Sequence, residues 1–284
     1  MKIPKYWAKG EQPVQSPDGR NWHLVCWQWS DDSIGEAQQR AGSRIAEVAQ
    51  NLQLRPFLDR YSYGDRPLRE EIIQSVTDSA GREVGVVTRN AYGALVLNAA
   101  NAMFIDIDFP DGQDPSAGGG VRRLFGAAKT PSLEERYTQQ VVDWAAQRPE
   151  LSLRIYRTFG GLRCLVTSQV FDPTQSESSA ILGSLNSDPL YVRLCQVQEC
   201  YRARLTAKPW RCGAGLPPSR YPWDNAAAEM RYRQWQRGYE GMAGTHAACR
   251  LIRQVGTGEV HPDIAPVLAL HDQIACGAPN RALA

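Results

Sequence analysis

The chain has 284 residues, 43% hydrophobic and 22% charged, with a formal net charge of +2; this is the balance of a globular chain with a sizeable core, and it excludes a disordered or collagen-like polymer. It contains no run of about 18 apolar residues to span a bilayer, and MKIPKYWAKGEQ lacks the apolar core of a signal peptide, so a cytoplasmic protein without membrane contact is expected. Seven cysteines, odd in number and spread along the sequence, argue against a secreted disulfide framework and are read as reduced thiols.

In chain order, the turn SPDG at 16–19 leads into NWHLVCWQWS, whose alternation of aromatic and polar residues predicts a strand. A helix is expected over 34–52, with Asp31 and Asp32 near its positive end. The segments REVGVVTRN, AYGALVLNAA and MFIDIDF read as successive strands, with a hairpin turn at Asn90 to Gly93. DGQDPSAGGGVRR then reads as a mobile loop. Ser132-x-x-Glu135 is a capping box opening a helix over 132–148. LSLRIYRTFGGLRCLVTS forms two alternating runs about Gly160-Gly161, a hairpin. Helical stretches near 175–198, a short strand at CYRARL, a Pro/Gly-rich connection at 208–222 and helices from about 225 complete the pattern. The simplest division is an α/β (α+β) domain over 1–223 with a helical C-terminal extension over 224–284.

NAMFIDIDFPDG, residues 101–112, concentrates the chemistry. Asp106 and Asp108 stand one residue apart within Phe104, Ile105, Ile107 and Phe109. On a strand they share one face, within reach of a single cation, while the isoleucines point the other way. Burying two like charges is costly unless a metal, an arginine or a proton compensates. The plain alternative is a strand end where both are solvated or paired with arginine.

This acidic strand, followed by a loop, a helix and a strand–Gly-Gly–strand hairpin, resembles the catalytic core of the archaeo-eukaryotic primase (primase-polymerase) superfamily over roughly residues 84–210. The resemblance implies an RRM-like sheet flanked by helices. It also implies Mg2+ or Mn2+ on Asp106 and Asp108 as catalytic ligands, and a hairpin contacting the phosphates of an incoming nucleotide through Gly160, Gly161 and Arg163. Arg157 would add a second phosphate contact, and Lys208 and Arg211 in AKPWR would extend that surface. The activity implied is nucleotidyl transfer on a nucleoside triphosphate or single-stranded nucleic acid, with DNA binding and a place in replication. The sequence departs from the family pattern in carrying Arg163 where that pattern has histidine. Its third acidic motif has only Asp172, Asp188 and Glu199 as candidates. Two-metal chemistry needs enough carboxylates for two cations, so a catalytically degenerate nucleic-acid-binding domain is the alternative. A haloacid-dehalogenase-like phosphohydrolase is another, although Phe109-Pro110 replaces the Gly-Thr expected after its second aspartate.

Charge distribution points the same way. Of 32 basic residues only five are lysines, and arginine suits bidentate phosphate binding. Residues 193–237 hold nine basic side chains against three acidic ones, interleaved with Tyr201, Trp210, Tyr221, Trp223, Tyr232 and Trp235. Single-stranded nucleic acid binding uses this mixture for phosphate contact and base stacking, and Arg202, Arg204 and Trp210 are its expected contacts; a core edge with a solvated face is the plain alternative. Cys195, Cys200, Cys212, His246 and Cys249 suggest zinc, but their spacings fit no compact zinc pattern. His271-Asp272 reads as a pair on a helix surface.

Overall fold

The structure, a computed structural model, describes residues 1–54, 67–110, 131–278 and 280–284, with the side chains of residues 53 and 54 outside that description. The expected loop after the acidic strand falls on residues 111–123 and so lies outside the described residues. Among those described, no helix is long and apolar enough to cross a membrane. The fold is mixed, with antiparallel sheets and helices, and it divides into compact units over 2–70 and over 71–284 with Met1.

In the first unit, β1 (Tyr6–Gln15) and β2 (Asn21–Ser30) form an antiparallel hairpin. α1 (Ile34–Leu54) follows. The SPDG turn closes as read, with Gly19 at φ +82° donating its N–H to Ser16 O. Asp31 and Asp32 precede the helix start as expected, and the Oγ of Ser33 accepts from Glu36 N at 3.1 Å there. β1 was not expected, because Gly10 and Pro13 interrupt YWAKGEQPVQ. Leu24, Ile45, Ala49 and Leu52 form one small core here, and Ala8, Ala37 and Ala41 another.

The larger unit holds two four-stranded antiparallel sheets. One is ordered β3 (Glu71–Thr77), β4 (Glu83–Arg89), β5 (Leu95–Ala99), β9 (Tyr201–Arg204). The other is ordered β11 (Cys249–Val255), β7 (Leu153–Thr158), β8 (Gly161–Val166), β6 (Phe104–Asp108). The strands expected in succession at 82–109 therefore separate, β4 and β5 into the first sheet and β6 into the second. The helices are α2 (Leu133–Ala146), which carries the predicted capping box, α3 (Ser176–Ser184), α4 (Pro189–Gln198), α5 (Ala226–Ala243) and α6 (Ala265–His271). α6 runs on into a π-helical turn, Asp272–Cys276. β10 (His246–Ala247) pairs in parallel with β12 (Ala282–Leu283).

The segment after residue 224 is thus not the purely helical extension expected. β11 pairs antiparallel with β7 inside the second sheet, and a register shift between Leu251 and Arg253 breaks the alternation by which a strand is recognised. The second sheet is covered on both faces. Ile105, Ile107, Leu162 and Cys164 share one core with Val141, Trp144 and Ala145 of α2, and the Arg157–Glu134 ion pair and Phe109–Tyr137 ring contact confirm that α2 lies on this face. Burial of each large aliphatic here contributes about 1.5–3 kcal/mol. Phe104 and Tyr156, on the opposite face by strand alternation, meet the ring of His271 at 5.2 and 4.8 Å. The end of α6 covers that side.

Candidate functional site

β6 is the edge of its sheet, and its outer side faces a seam rather than a ladder. Tyr191 Oη lies 2.9 Å from Phe104 O and 3.2 Å from Arg202 O of β9, and Ser187 Oγ donates to Asp106 O at 2.8 Å. Two side chains from α4 and its approach thus satisfy carbonyls that a paired strand would otherwise take. This places Asp106 and Asp108 beside the junction of the two sheets.

In the β6–β8 ladder Asp106 stands opposite Arg163 and Asp108 opposite Gly161. Ile105 and Ile107 are fully buried on the other face, as the alternation predicts. Arg163 is buried; it donates through Nη1 to Arg204 O at 2.8 Å, while its Nε has no hydrogen-bond partner and faces Asp106 Oδ1 at 3.8 Å. One aspartate therefore leans on a guanidinium and the other does not. Desolvation raises the Asp108 carboxyl pKa above its ordinary value, as do the like charges of Asp106 and Asp188, against the pull of Lys208 and Arg211. Desolvation lowers both cations in turn: Lys208 is pushed down further by Arg211 and Arg204, and the charge of Asp108 opposes the shift in both. Three acids and several bases thus share one electrostatic neighbourhood.

Exposed rings border it. Arg211 lies over Phe159 at 4.0 Å, Lys208 over Trp210 at 5.6 Å, and Trp210 meets Tyr92 edge-on at 5.2 Å. Phe159, Trp210 and Tyr92 are each about half exposed.

No protein-family model, curated protein or solved structure matches the chain.

Of the expected site residues, Asp106, Asp108, Arg163, Arg204, Lys208, Arg211 and Trp210 come together or border one another. Arg157 does not. It stands in register with Leu162, on the face opposite Arg163, where Glu134, the Phe109 ring and the carbonyls of Thr158 and Gly161 engage it. Arg202 is held by the buried Asn98 at 2.6 Å. Burial, with the like charges of Arg163 and Arg211, lowers the Arg204 guanidinium to about 10, and its Nη1 is taken up by the carbonyls of Thr206 and Ala284 at 2.5 and 2.9 Å. The hairpin expected about Gly160-Gly161 is present, in the β7–β8 ladder. Its turn is Phe159-Gly160, neither glycine has a left-handed φ, and Gly161 is the first residue of β8.

Among the acids considered for the third motif, Asp188 is the one felt at Asp108. It is also the N-cap of α4, accepting from Leu190 N at 2.9 Å with Pro189 behind it. The Asp-Pro step was its sequence signal. Asp172 is bound to Thr174, and Glu199 caps the C-terminal end of α4.

The basic, aromatic stretch 193–237 divides. Its first part contributes Lys208, Trp210 and Arg211 to the site. Its last part packs inward: Tyr232 is buried, Trp223, Tyr232 and Trp235 form consecutive ring contacts, and Arg233 is bound by Glu71 and lies over Trp223. His271, read as a surface residue, is fully buried, and His246 lies apart from the metal-ligand-type cluster that the described residues form, Cys249, His271 and Cys276.

Proposed function

We propose that Asp106 and Asp108 hold a divalent cation, Mg2+ or Mn2+, against the phosphates of a nucleoside triphosphate or single-stranded nucleic acid, and that the chain is a nucleotide-handling protein of primase-polymerase kind. The observation that carries the reading is Asp108. It shares one face of the edge strand β6 with Asp106, in register with Gly161 beside the Asp106–Arg163 pair, and desolvation and the like charges of Asp106 and Asp188 disfavour its ionised form, a disfavour that a bound cation would relieve. When bound, the cation would neutralise the aspartates and polarise a phosphoryl oxygen. Lys208 and Arg211 would grip phosphate oxygens, and their incomplete hydration favours that exchange. Trp210 and Phe159 offer faces for base stacking. The order β6–α2–β7–β8–helices–β9 follows the β-α-β-β-α-β succession of an RRM-like core, although β9 pairs with β5 in the other sheet and meets β6 only across the seam.

A second reading, nucleic-acid binding without catalysis, is favoured by one observation: Arg163, in the place of the family's histidine, spends Nη1 on Arg204 O and faces Asp106 with Nε. Calorimetric titration with Mn2+ tests the shared premise. Asp108→Asn, nearly isosteric, is expected to weaken Mn2+ binding at least about tenfold, roughly 1.4 kcal/mol; unchanged affinity would remove the metal site. A primer-synthesis assay with Mn2+ and nucleoside triphosphates then separates the readings, since product made by the wild type and lost in Asp108→Asn requires catalysis.

The rim has its own expected signature. Lys208→Ala with Arg211→Ala should reduce the slope of log affinity against log salt for a single-stranded oligonucleotide by about 1.4. Trp210→Ala should cost about 1–3 kcal/mol at every salt concentration if a base stacks there. Fluorescence anisotropy reads both, and an unaltered slope would place the phosphates elsewhere.

A further inference from the structure

Cys249, His271 and Cys276 lie outside the candidate site, 22 and five residues apart, and converge on one point. Cys249 begins β11, opposite Thr158 in the ladder with β7. His271 ends α6 and Cys276 ends the π-helical turn after it. The turn is what makes the convergence possible. On a regular α-helix, residues five apart point about 140° away from each other, whereas a π-turn closes i to i+5 and brings them to one side.

We propose that these three side chains bind one zinc ion, which fastens the end of α6 to the sheet that carries Asp106. The spacing supports it directly. Cys249 Sγ lies 3.9 Å from Cys276 Sγ and 3.8 Å from His271 Nε2. A tetrahedral ion with Zn–S of about 2.3 Å and Zn–N of about 2.0–2.1 Å sets these separations at roughly 3.8 and 3.6 Å. The surroundings of the histidine support it independently. Its Nδ1 meets Asp272 Oδ1 at 3.0 Å, and Asp272 is fixed by Tyr156 Oη at 2.7 Å and by Arg154 Nη1 at 2.5 Å. A carboxylate on Nδ1–H leaves the Nε2 lone pair aimed at the two sulfurs, the arrangement that orients histidine ligands of metals.

Two other uses of the same atoms are weaker. Cys249, His271 and Asp272 run in the order of a thiol-nucleophile triad, but Cys249 and His271 are fully buried and no substrate can reach the sulfur. A Cys249–Cys276 disulfide would need an oxidant and closure of the sulfurs to about 2.05 Å. The described residues add no fourth ligand to the set; Cys276 is half-buried, and solvent takes the remaining position. Zinc suits the donors, since two thiolates and an imidazole are soft to borderline ligands that Mg2+ and Mn2+ avoid. The ion at Asp106 and Asp108 and this one would thus sort by chemistry.

The test is the metal content of the full chain, purified without a metal-binding tag and measured by plasma mass spectrometry, with thiols counted on the same sample. About one zinc per chain is expected in the wild type, with equal content in Asp108→Asn and in Cys195→Ala, whose buried thiol lies outside the cluster. Cys276→Ser should carry at least about tenfold less. If Cys276→Ser fails to fold, Co2+ replacement in the wild type decides: thiolate-to-cobalt charge-transfer absorption supports the site, and its absence overturns it. A wild type that neither carries nor takes up zinc overturns it too, as does zinc retained in Cys276→Ser or a native Cys249–Cys276 disulfide.

Discussion

Gly161→Ala is expected to cost at least about 3 kcal/mol of folding stability, with Gly160→Ala beside it nearly neutral. A Cβ on Gly161 would stand 1.9 Å from Ile107 O and 2.9 Å from Asp108 Cα. Both are backbone atoms of β6, so no side chain can swing aside; the hairpin must move off the acidic strand or β6 must bend. Overpacking that forces side-chain and backbone shifts costs typically about 1–3 kcal/mol and occasionally more, and a site where only backbone can yield belongs at the upper end. At Gly160 the nearest atom is Asp108 Oδ1 at 3.9 Å and the φ is not left-handed, so alanine fits and restricts the unfolded chain. Urea denaturation of the two variants reads the contrast. Equal losses would mean that the Gly-Gly pair serves the turn, as its sequence alone suggests, and not the approach of β8 to β6. Because that approach positions Asp106 against Arg163, Gly161→Ala should also weaken Mn2+ binding.

The same residues show how far the sequence could be read. FIDID announces its strand because its carboxylates alternate with buried isoleucines, and LRIYRTFGGLRCLV does so through two apolar runs about the Gly-Gly step, although β8 is buried throughout. That Asp106 and Arg163 share a face follows from alternation once the hairpin pairs with β6. The seam was not legible, because Tyr191 and Ser187 close the outer edge of β6 through side-chain hydroxyls, and no hydrophobic period records such contacts. β3 and β11 were missed for a related reason: both carry register shifts, and one inserted residue reverses the phase of a period-two pattern. Arg157 and Arg163 looked equivalent on either side of the turn. Their separation to opposite faces is set by the two-residue loop Phe159-Gly160, a register known only once the turn is fixed. The Cys249, His271 and Cys276 cluster left no compact spacing to find, since a π-turn and a distant strand assemble it.

Neutralising the two aspartates should move stability in opposite directions in the metal-free protein, although only Ile107 separates them on one strand. Sequence alone suggests that removing either relieves repulsion. Asp106, however, faces the buried Arg163, whose Nε has no other partner and whose neighbour Arg204 carries like charge. Asp106→Ala leaves that guanidinium uncompensated. Breaking a fully buried pair costs about 3–5 kcal/mol; the Asp106 side chain is 38% exposed, which screens the pair and reduces the expected loss to about 1–2 kcal/mol. Asp108 has the reverse balance. Its folded pKa lies above the unfolded 3.8, raised by desolvation and by Asp106 and Asp188. The unfolded chain gives up this proton first as pH rises, so stability falls through the window from 3.8 up to the folded value and stays lowered at neutral pH. Asp108→Asn cannot ionise and escapes the penalty. It should be more stable than the wild type near about pH 7, by less than about 1 kcal/mol given its exposure, and the gain should vanish near about pH 3. Urea titrations of both variants at the two pH values, with metal chelated, give the four numbers needed. Losses in both variants, or gains in both, would mean that Arg163 does not distinguish the two carboxylates. Adding Mn2+ should then reverse the ranking for Asp108, because only the wild type retains both ligands and gains stability by binding the ion.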